Sequence, residues 1–206
     1  MIKPIDLPEP NRQGGDTLEE ALAKRRSVRN FTSQPLEAHQ ISQLLWAAQG
    51  EMNARGLRAA PSAGALYALE LYLIDDRGVF QYHPDMHALS THAEGDLRKD
   101  VYQVALQQDS VLQAPCTMVL AAVFDRIAQR YGAERAPRYV FMEVGHAAQN
   151  VLLQAASLGL GAVPIGAFED DGLHSVLKLP QDHKPLYLIP IGYPDQSESP
   201  VDFPLK

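Results

Sequence analysis

Cysteine is almost absent. Cys116 is the single one in 206 residues, so no internal disulfide and no cysteine-based zinc or iron–sulfur centre can form within one chain. Long apolar runs are missing as well: none approaches the roughly 18 residues of a membrane span. The segment Met1 to Gly15 has no apolar stretch of the signal-peptide kind, so the expected location is the cytoplasm, with no membrane partner. Cations are scarce: 18 Lys and Arg face 25 Asp and Glu, a net charge of −7. That balance argues against a nucleic-acid partner, which would need an excess of positive charge, and makes any anion site a local feature. Repeats, linkers and low-complexity tracts are absent too.

What is present is an ordinary globular composition, 46% hydrophobic and 21% charged. The opening stretch carries Pro4, Pro8, Pro10 and Gly14-Gly15 and is expected to be an extended arm over residues 1–15, followed by one α+β domain over 16–206. Thr17 and Glu20 stand at capping-box spacing and start a helix that should end near Arg26 to Ser27. A second helix is expected from Glu37 to Gln49, with Ile41, Leu44, Leu45 and Ala48 on one face and Gly50 as its stop. Residues 51–66 read as a loop. Leu69 to Ile74 and Val79 to Tyr82, separated by Asp75-Asp76-Arg77-Gly78, read as a hairpin. A mixed helical stretch is expected up to Gln108, then a buried strand at 116–123. The segment from Asp125 to Pro137 leads into a long helix from Tyr139 to Leu158, stopped by Gly159 and Gly161. That helix has so few charges on any face that it should be buried on most sides. A short helix at Leu173 to Leu177 and a last strand at 186–192 follow, with Pro190 pointing to a sheet edge or a strand end.

Three segments carry candidate chemistry. Lys24-Arg25-Arg26-Ser27-Val28-Arg29 concentrates four cations and a hydroxyl in an acidic chain; it suits phosphate oxygens, and equally the negative end of a helix dipole. Ala60-Pro61-Ser62-Ala63-Gly64-Ala65-Leu66 is a loop of small residues that lets backbone N–H groups approach a flat ligand. Gly159-Leu160-Gly161-Ala162-Val163-Pro164-Ile165-Gly166 has its glycines at the wrong spacing for a dinucleotide fingerprint, so a Rossmann or P-loop site is not supported. His83, His87 and His92 match no zinc signature, Pro84 interrupts any shared helical face, and no metal site is expected. His146 reads as a hydrogen-bonded core or interface residue, and Cys116 as a small core hydrophobe. No nucleophile elbow or local triad pattern is present.

In this order, these segments resemble the nitroreductase family of flavin enzymes, and within it the SagB-like branch that includes oxidases of azoline-containing peptides. The resemblance rests on Arg25 to Phe31, Ala60 to Tyr67, Tyr82-His83-Pro84 with His87, Glu143 to Asn150, Gly159 to Phe168, and Pro190 to Pro194, and spans residues 16 to 194. It implies an α+β fold, a central mixed and mainly antiparallel sheet flanked by helices, in an intertwined homodimer with FMN at the interface. It implies that Arg25, Arg26, Ser27 and Arg29 belong to the cofactor site, with Arg25, Ser27 and Arg29 on the phosphate, ribityl chain and pyrimidine edge. Pro61, Ser62, Ala63 and Gly64 would approach the cofactor from the partner subunit. Pro164, Ile165 and Gly166 would run along the isoalloxazine, with the Gly166 N–H near N5. The implied reaction is ping-pong reduction of a nitroaromatic or quinone at the expense of NADH or NADPH. Oxidation of a peptide azoline or small metabolite is the alternative, and a non-catalytic flavin-binding protein a further one.

The sequence departs from the family pattern in three places. Asp195 to Pro204 contains no cation, and only Lys206 stands where many nitroreductases grip the phosphate with a Lys and Arg pair. Gly166 occupies a position where better-studied members carry an acidic residue. The Lys-Tyr pair of the azoline oxidases is missing; Arg130-Tyr131 and Arg138-Tyr139 are the nearest, which leaves Tyr131 or Tyr139 as the candidate base, since arginine is effectively never deprotonated.

Overall fold

The computed structural model describes residues 4–195, and its backbone is organised around a seven-stranded sheet. In chain order the elements are β1 (Ile5–Asp6), α1 (Leu18–Lys24), α2 (Ala38–Gln49), β2 (Leu69–Asp75), β3 (Gly78–His83), β4 (Ala88–Glu94), α3 (Arg98–Val104), α4 (Asp109–Gln113), β5 (Cys116–Ala122), α5 (Phe124–Tyr131), α6 (Ala136–Ser157), β6 (Gly161–Ala162), α7 (Asp170–Val176) and β7 (Lys184–Gly192). The sheet order is β1-β4-β3-β2-β5-β7-β6, and every strand pairing in it is antiparallel. The C-terminal stretch without cations lies, from residue 196 on, outside the described residues.

Side-chain alternation sorts the core into two layers. Leu69, Leu71 and Leu73 of β2 and Met118 and Leu120 of β5 point to one face, under Ile41, Leu44 and Leu45 of α2 and Val140, Val144 and Val151 of α6. Tyr72, Ile74, Val119 and Leu188 point to the other, against Val101 of α3, Val111 of α4 and Leu173 of α7. β5 is buried at all seven positions because β2 and β7 flank it and helices cover both faces; that is why it reads as one apolar run. Truncating fully buried Leu44 or Leu45 to Ala would cost about 2–5 kcal/mol in lost transfer energy plus a cavity.

The structure departs from the sequence expectations at several points. The stretch expected to be helical up to Gln108 contains a strand, β4, before α3 and α4. Its buried positions include Ala88, Ser90 and Ala93, too small to announce a strand, and the ladder to β3 and β1 orders it. The lead-in to the long helix holds α5, and α6 begins at Ala136, with Pro137 in its first turn where a missing N–H costs nothing. The helix is also not buried on most sides within one chain: Phe141 and Met142 are 55% and 53% exposed. α1 keeps its capping box, Glu20 N–H to Thr17 Oγ1 at 3.2 Å and Thr17 N–H to Glu20 Oε2 at 2.8 Å, but stops at Lys24. Gly50 follows α2 with φ −62°, so handedness does not require it; a Cβ there would lie 2.4 Å from Trp46 Cδ1. Pro190 is not at the edge: β7 lies between β5 and the two-residue β6, and Pro190 accepts Val163 N–H at 3.2 Å on the β6 flank, where few backbone donors are needed.

Candidate functional site

At the β6 margin of the sheet, two of the three candidate segments come together. Arg25 closes α1 with an extended backbone, ψ 121°, and the chain then runs along β6: Ser27 bridges Ala162, and Val28 N–H reaches Ala162 O at 3.1 Å. Gly161 permits this approach, because a Cβ there would lie 2.6 Å from the Val28 side chain. Beyond β6 the chain continues beside β7, with Ile165 and Leu188 exchanging hydrogen bonds at 2.8 and 3.0 Å. Gly166 then comes out exposed, and its N–H has no partner among the described residues. Arg25 is half-buried, and Ser27 and Arg29 are exposed beside it. Arg26 behaves differently: its Nη1 donates to Ala23 O and Arg25 O at 2.8 and 2.7 Å, serving the carbonyl end of its own helix.

The third segment sits elsewhere and is built from side chains. Ser62 Oγ donates to Glu143 Oε2 at 2.6 Å and accepts Tyr67 N–H at 2.9 Å, while Ala68 N–H reaches the same Glu143 oxygen at 3.4 Å. Pro61 O lies 3.2 Å from His146 Nδ1; His146 itself is exposed, and so not a core residue. Ala63 to Ala65 form a 3₁₀ turn around Gly64, whose φ of +62° suits glycine. A Cβ at Gly64 would lie 2.9 Å from the Tyr131 hydroxyl, and the Tyr131 and Tyr139 rings are 4.8 Å apart. Tyr131 therefore stands by this loop, and Tyr139 packs against Tyr131.

Glu143 holds the loop and is the residue sequence reasoning passed over. It is 1% exposed, its Oε1 has no partner, and burial pushes its carboxyl above the ordinary value. The available signal was its position as one of two charged residues, with Arg138, in the 22-residue α6.

Helix α6 separates the two halves. The loop is fastened to Glu143 and His146 in its first half, whereas the arginine segment and β6 lie past its end at Ser157. At 1.5 Å per residue, Glu143 and Leu158 are about 22 Å apart along the axis. Between them runs a stripe without charge: Met142, Gly145 and Gln149 are exposed and Leu153 half-buried, at helical spacing. A groove of ≈ 690 Å³ borders it, between the N-terminal arm, α1, α2 and the end of α6, with Leu18, Trp46 and Leu153 in its wall.

The histidines are engaged separately. His83 Nε2 lies 2.7 Å from Ser90 Oγ; His87 contacts Ser42 Oγ at 2.8 Å and the Tyr82 hydroxyl at 2.9 Å; His92 Nε2 contacts Leu177 O at 3.1 Å. His87 also reaches Pro8 O at 3.1 Å, which ties the arm to α2 and β3. Among the described residues no group of three or more His, Cys, Asp or Glu is placed to hold a metal, and no helix is long and apolar enough to cross a membrane. Cys116 is buried in β5, where burial pushes its thiol pKa up and suppresses the reactive thiolate.

Comparison with known proteins gives a consistent outcome. The profile of the Nitroreductase family matches residues 22–193. A protein of Methanocaldococcus jannaschii, a nitroreductase by name, is 42% identical over 181 residues, 85% of this chain and 90% of the relative. A crystal structure from Ralstonia eutropha, also a nitroreductase by name, superposes with a TM-score of 0.85 at 33% identity and covers 93% of this chain and 90% of the other. The oxygen-insensitive NADPH nitroreductase of Salmonella typhimurium is 27% identical over 85% of this chain and 65% of the relative.

Proposed function

The chain belongs to the nitroreductase family, and from that premise we propose that it is an FMN-dependent oxidoreductase whose working unit is a homodimer. One observation carries the reading: the segments suited to a flavin are fastened at different points along α6, the loop at Glu143 and His146 in its first half and the arginine segment past Ser157, with Glu143 and Leu158 about 22 Å apart along the axis and an uncharged exposed stripe beside them. A second copy packed on that stripe in the reverse direction brings its Pro61 to Gly64 loop to the first copy's arginine end. It also covers Phe141 and Met142.

The residues fit the cofactor. Arg25 and Arg29 supply positive charge and Ser27 a hydroxyl donor for the phosphate and ribityl chain, in a protein otherwise acidic. Pro164 and Ile165 offer an extended wall fixed to β7, and Gly166 offers an open N–H with no side chain in the way of a flat ring. Arg26 is committed to its own helix and contributes mainly to the local field. FMN bound here would supply hydride-transfer chemistry between NADH or NADPH and a nitroaromatic or quinone. The protein's share is to bind, orient and bias that ring with cations and one backbone donor; the Salmonella relative's use of NADPH supports the choice of reductant.

Within the family we place the chain in the SagB-like branch, on Tyr82-His83-Pro84 with His87 and on Glu143 to Asn150. Tyr131 beside Gly64, with the Tyr139 ring against it, favours a second use of the same site: dehydrogenation of a peptide azoline or small metabolite, in which bound flavin would take the hydride and a tyrosine phenolate the proton.

An anaerobic visible spectrum of the purified protein, before and after NADH or NADPH and then after a quinone, tests the reading. Yellow protein that bleaches and recovers is the expected result. Yellow protein that ignores both nicotinamides transfers the assignment to the dehydrogenase or to a flavin binder without turnover, and protein that FMN cannot reconstitute overturns it.

A further inference from the structure

Beside the Ser62 loop stands a cation that neither the fold nor the flavin reading has used. Arg130, in the last turn of α5, is exposed, and a Cβ at Gly64 would lie 3.3 Å from its Nη1 and 2.9 Å from the Tyr131 hydroxyl. Gly64, Tyr131 and Arg130 therefore share one surface, which the missing side chain of Gly64 leaves open. The guanidinium lies 5.7 Å from the centroid of the Tyr131 ring, and the Tyr139 ring backs that ring at 4.8 Å. Stacking occupies the face of a guanidinium and leaves its N–H edge free to take an anion with two parallel hydrogen bonds.

Two other arginines show how different this placement is. Arg126, one turn earlier on α5, is engaged by the Glu70 carboxylate and the Tyr67 carbonyl. Arg26, just past the end of α1, donates to two carbonyls, as a cation serving a helix dipole does. Arg130 makes neither contact: among the described residues no carboxylate stands in ion-pair distance of it and no carbonyl accepts from it, although exposed Asp125 and Glu134 are near in sequence. Its N–H edge is thus unspent at the face of the loop.

In the proposed homodimer the loop of one copy meets the flavin of the other, and Arg130 travels with the loop. The flavin phosphate has Arg25 and Arg29 on its own copy, whereas Tyr131 stands on the substrate side, so an arginine stacked on that ring faces the same substrate. We propose, on the premise that the flavin reading above holds, that the site selects anionic aromatic substrates, with Arg130 of one copy holding the carboxylate of a molecule stacked on the flavin of the other. In a chain with a net charge of −7, a local cation of this kind is what lets an anion approach.

Titration of the FMN-loaded protein with 4-nitrobenzoate and with 4-nitrobenzamide, read on the visible flavin band at neutral pH, tests this, because the two ligands match in shape and differ in charge. The benzoate should bind more tightly, and Arg130→Gln should weaken it about tenfold relative to the benzamide, as loss of a charge-assisted contact does. Arg130→Lys, which keeps the charge without the fork, should recover part of that loss. Arg138→Gln removes the same charge from an exposed arginine of α6 and should change the ratio by no more than about twofold. An equal fall in Arg138→Gln, an Arg130→Gln protein that binds the benzoate undiminished, or one that weakens both ligands alike overturns the proposal. So does an Arg130→Gln protein that instead loses affinity for FMN but not for riboflavin, which assigns the arginine to the cofactor phosphate. Wild-type protein that takes up no FMN refutes the flavin reading itself, and this proposal with it.

Discussion

The two halves of α6 stand beside candidate segments held by opposite means. At the β6 end the fixing is backbone work: Ser27 and Val28 against Ala162, Ile165 against Leu188, with cations and the Gly166 N–H left toward solvent. At the other end a loop in left-handed conformations, Gly64 at φ +62° and Ala65 at +52°, is pinned by one buried carboxylate, Glu143. A sheet margin presents donors at fixed spacing whatever the side chains, whereas a strained loop of small residues needs a specific anchor. The difference teaches that the two halves should fail differently: the first by loss of affinity, the second by loss of local structure.

The largest effect should come from separating the halves. Met142→Glu is tolerated in one chain, where the side chain is 53% exposed, but would bury an unpaired charge in the proposed dimer at about 3–5 kcal/mol. Sedimentation should find monomers, and the flavin absorbance should be lost together with the dimer; flavin retained by a monomer would break the comparison. Next in size, Glu143→Ala strips acceptors from Ser62 and Ala68 and should cost about 3 kcal/mol in denaturant unfolding. Glu143→Gln should cost far less and also change the pH response. Because burial raises the Glu143 pKa, its neutral form fits the fold. Its contribution is therefore complete at acid pH, below the ordinary value of 4.5, and is lost as pH rises through the raised one; the Gln variant should flatten that decline.

At the other end, Arg25→Ala should weaken FMN by about 1.5–3 kcal/mol, the range for a charged hydrogen bond, without changing the melting temperature by more than a degree or two. Arg26→Ala should leave FMN affinity nearly untouched, since its donors already serve Ala23 and Arg25. Equal losses from the two arginines, measured by flavin fluorescence, would dissolve the distinction drawn between them. The smallest effect belongs to a residue in neither half: Cys116→Ser in the central strand should lower stability by about 1 kcal/mol and leave turnover intact.

Much of this was legible in the chain. The capping box at Thr17, the hairpin of β2 and β3, the apolar run of β5 and the long α6 are written in local spacing, because each is set by neighbours a few residues away. The three candidate segments were legible for the same reason: runs of cations or small residues need no partner to be seen. β4 was not, because three of its four buried positions, Ala88, Ser90 and Ala93, are small and only Leu89 is large, and its order comes from ladders to β3 and to the arm. Nor was Glu143, an acid whose meaning depends on Ser62, 81 residues away.

By itself, then, the sequence determined the fold class, the family and the inventory of groups that suit a flavin, since composition, period and motif are properties of short stretches. Only the tertiary structure decided which of those groups meet. Hydrogen bonds and strand pairing act over a few ångströms between residues far apart in the chain, so they alone bring Ser27 to Ala162 and set the Ser62 loop against Glu143 in the first half of α6.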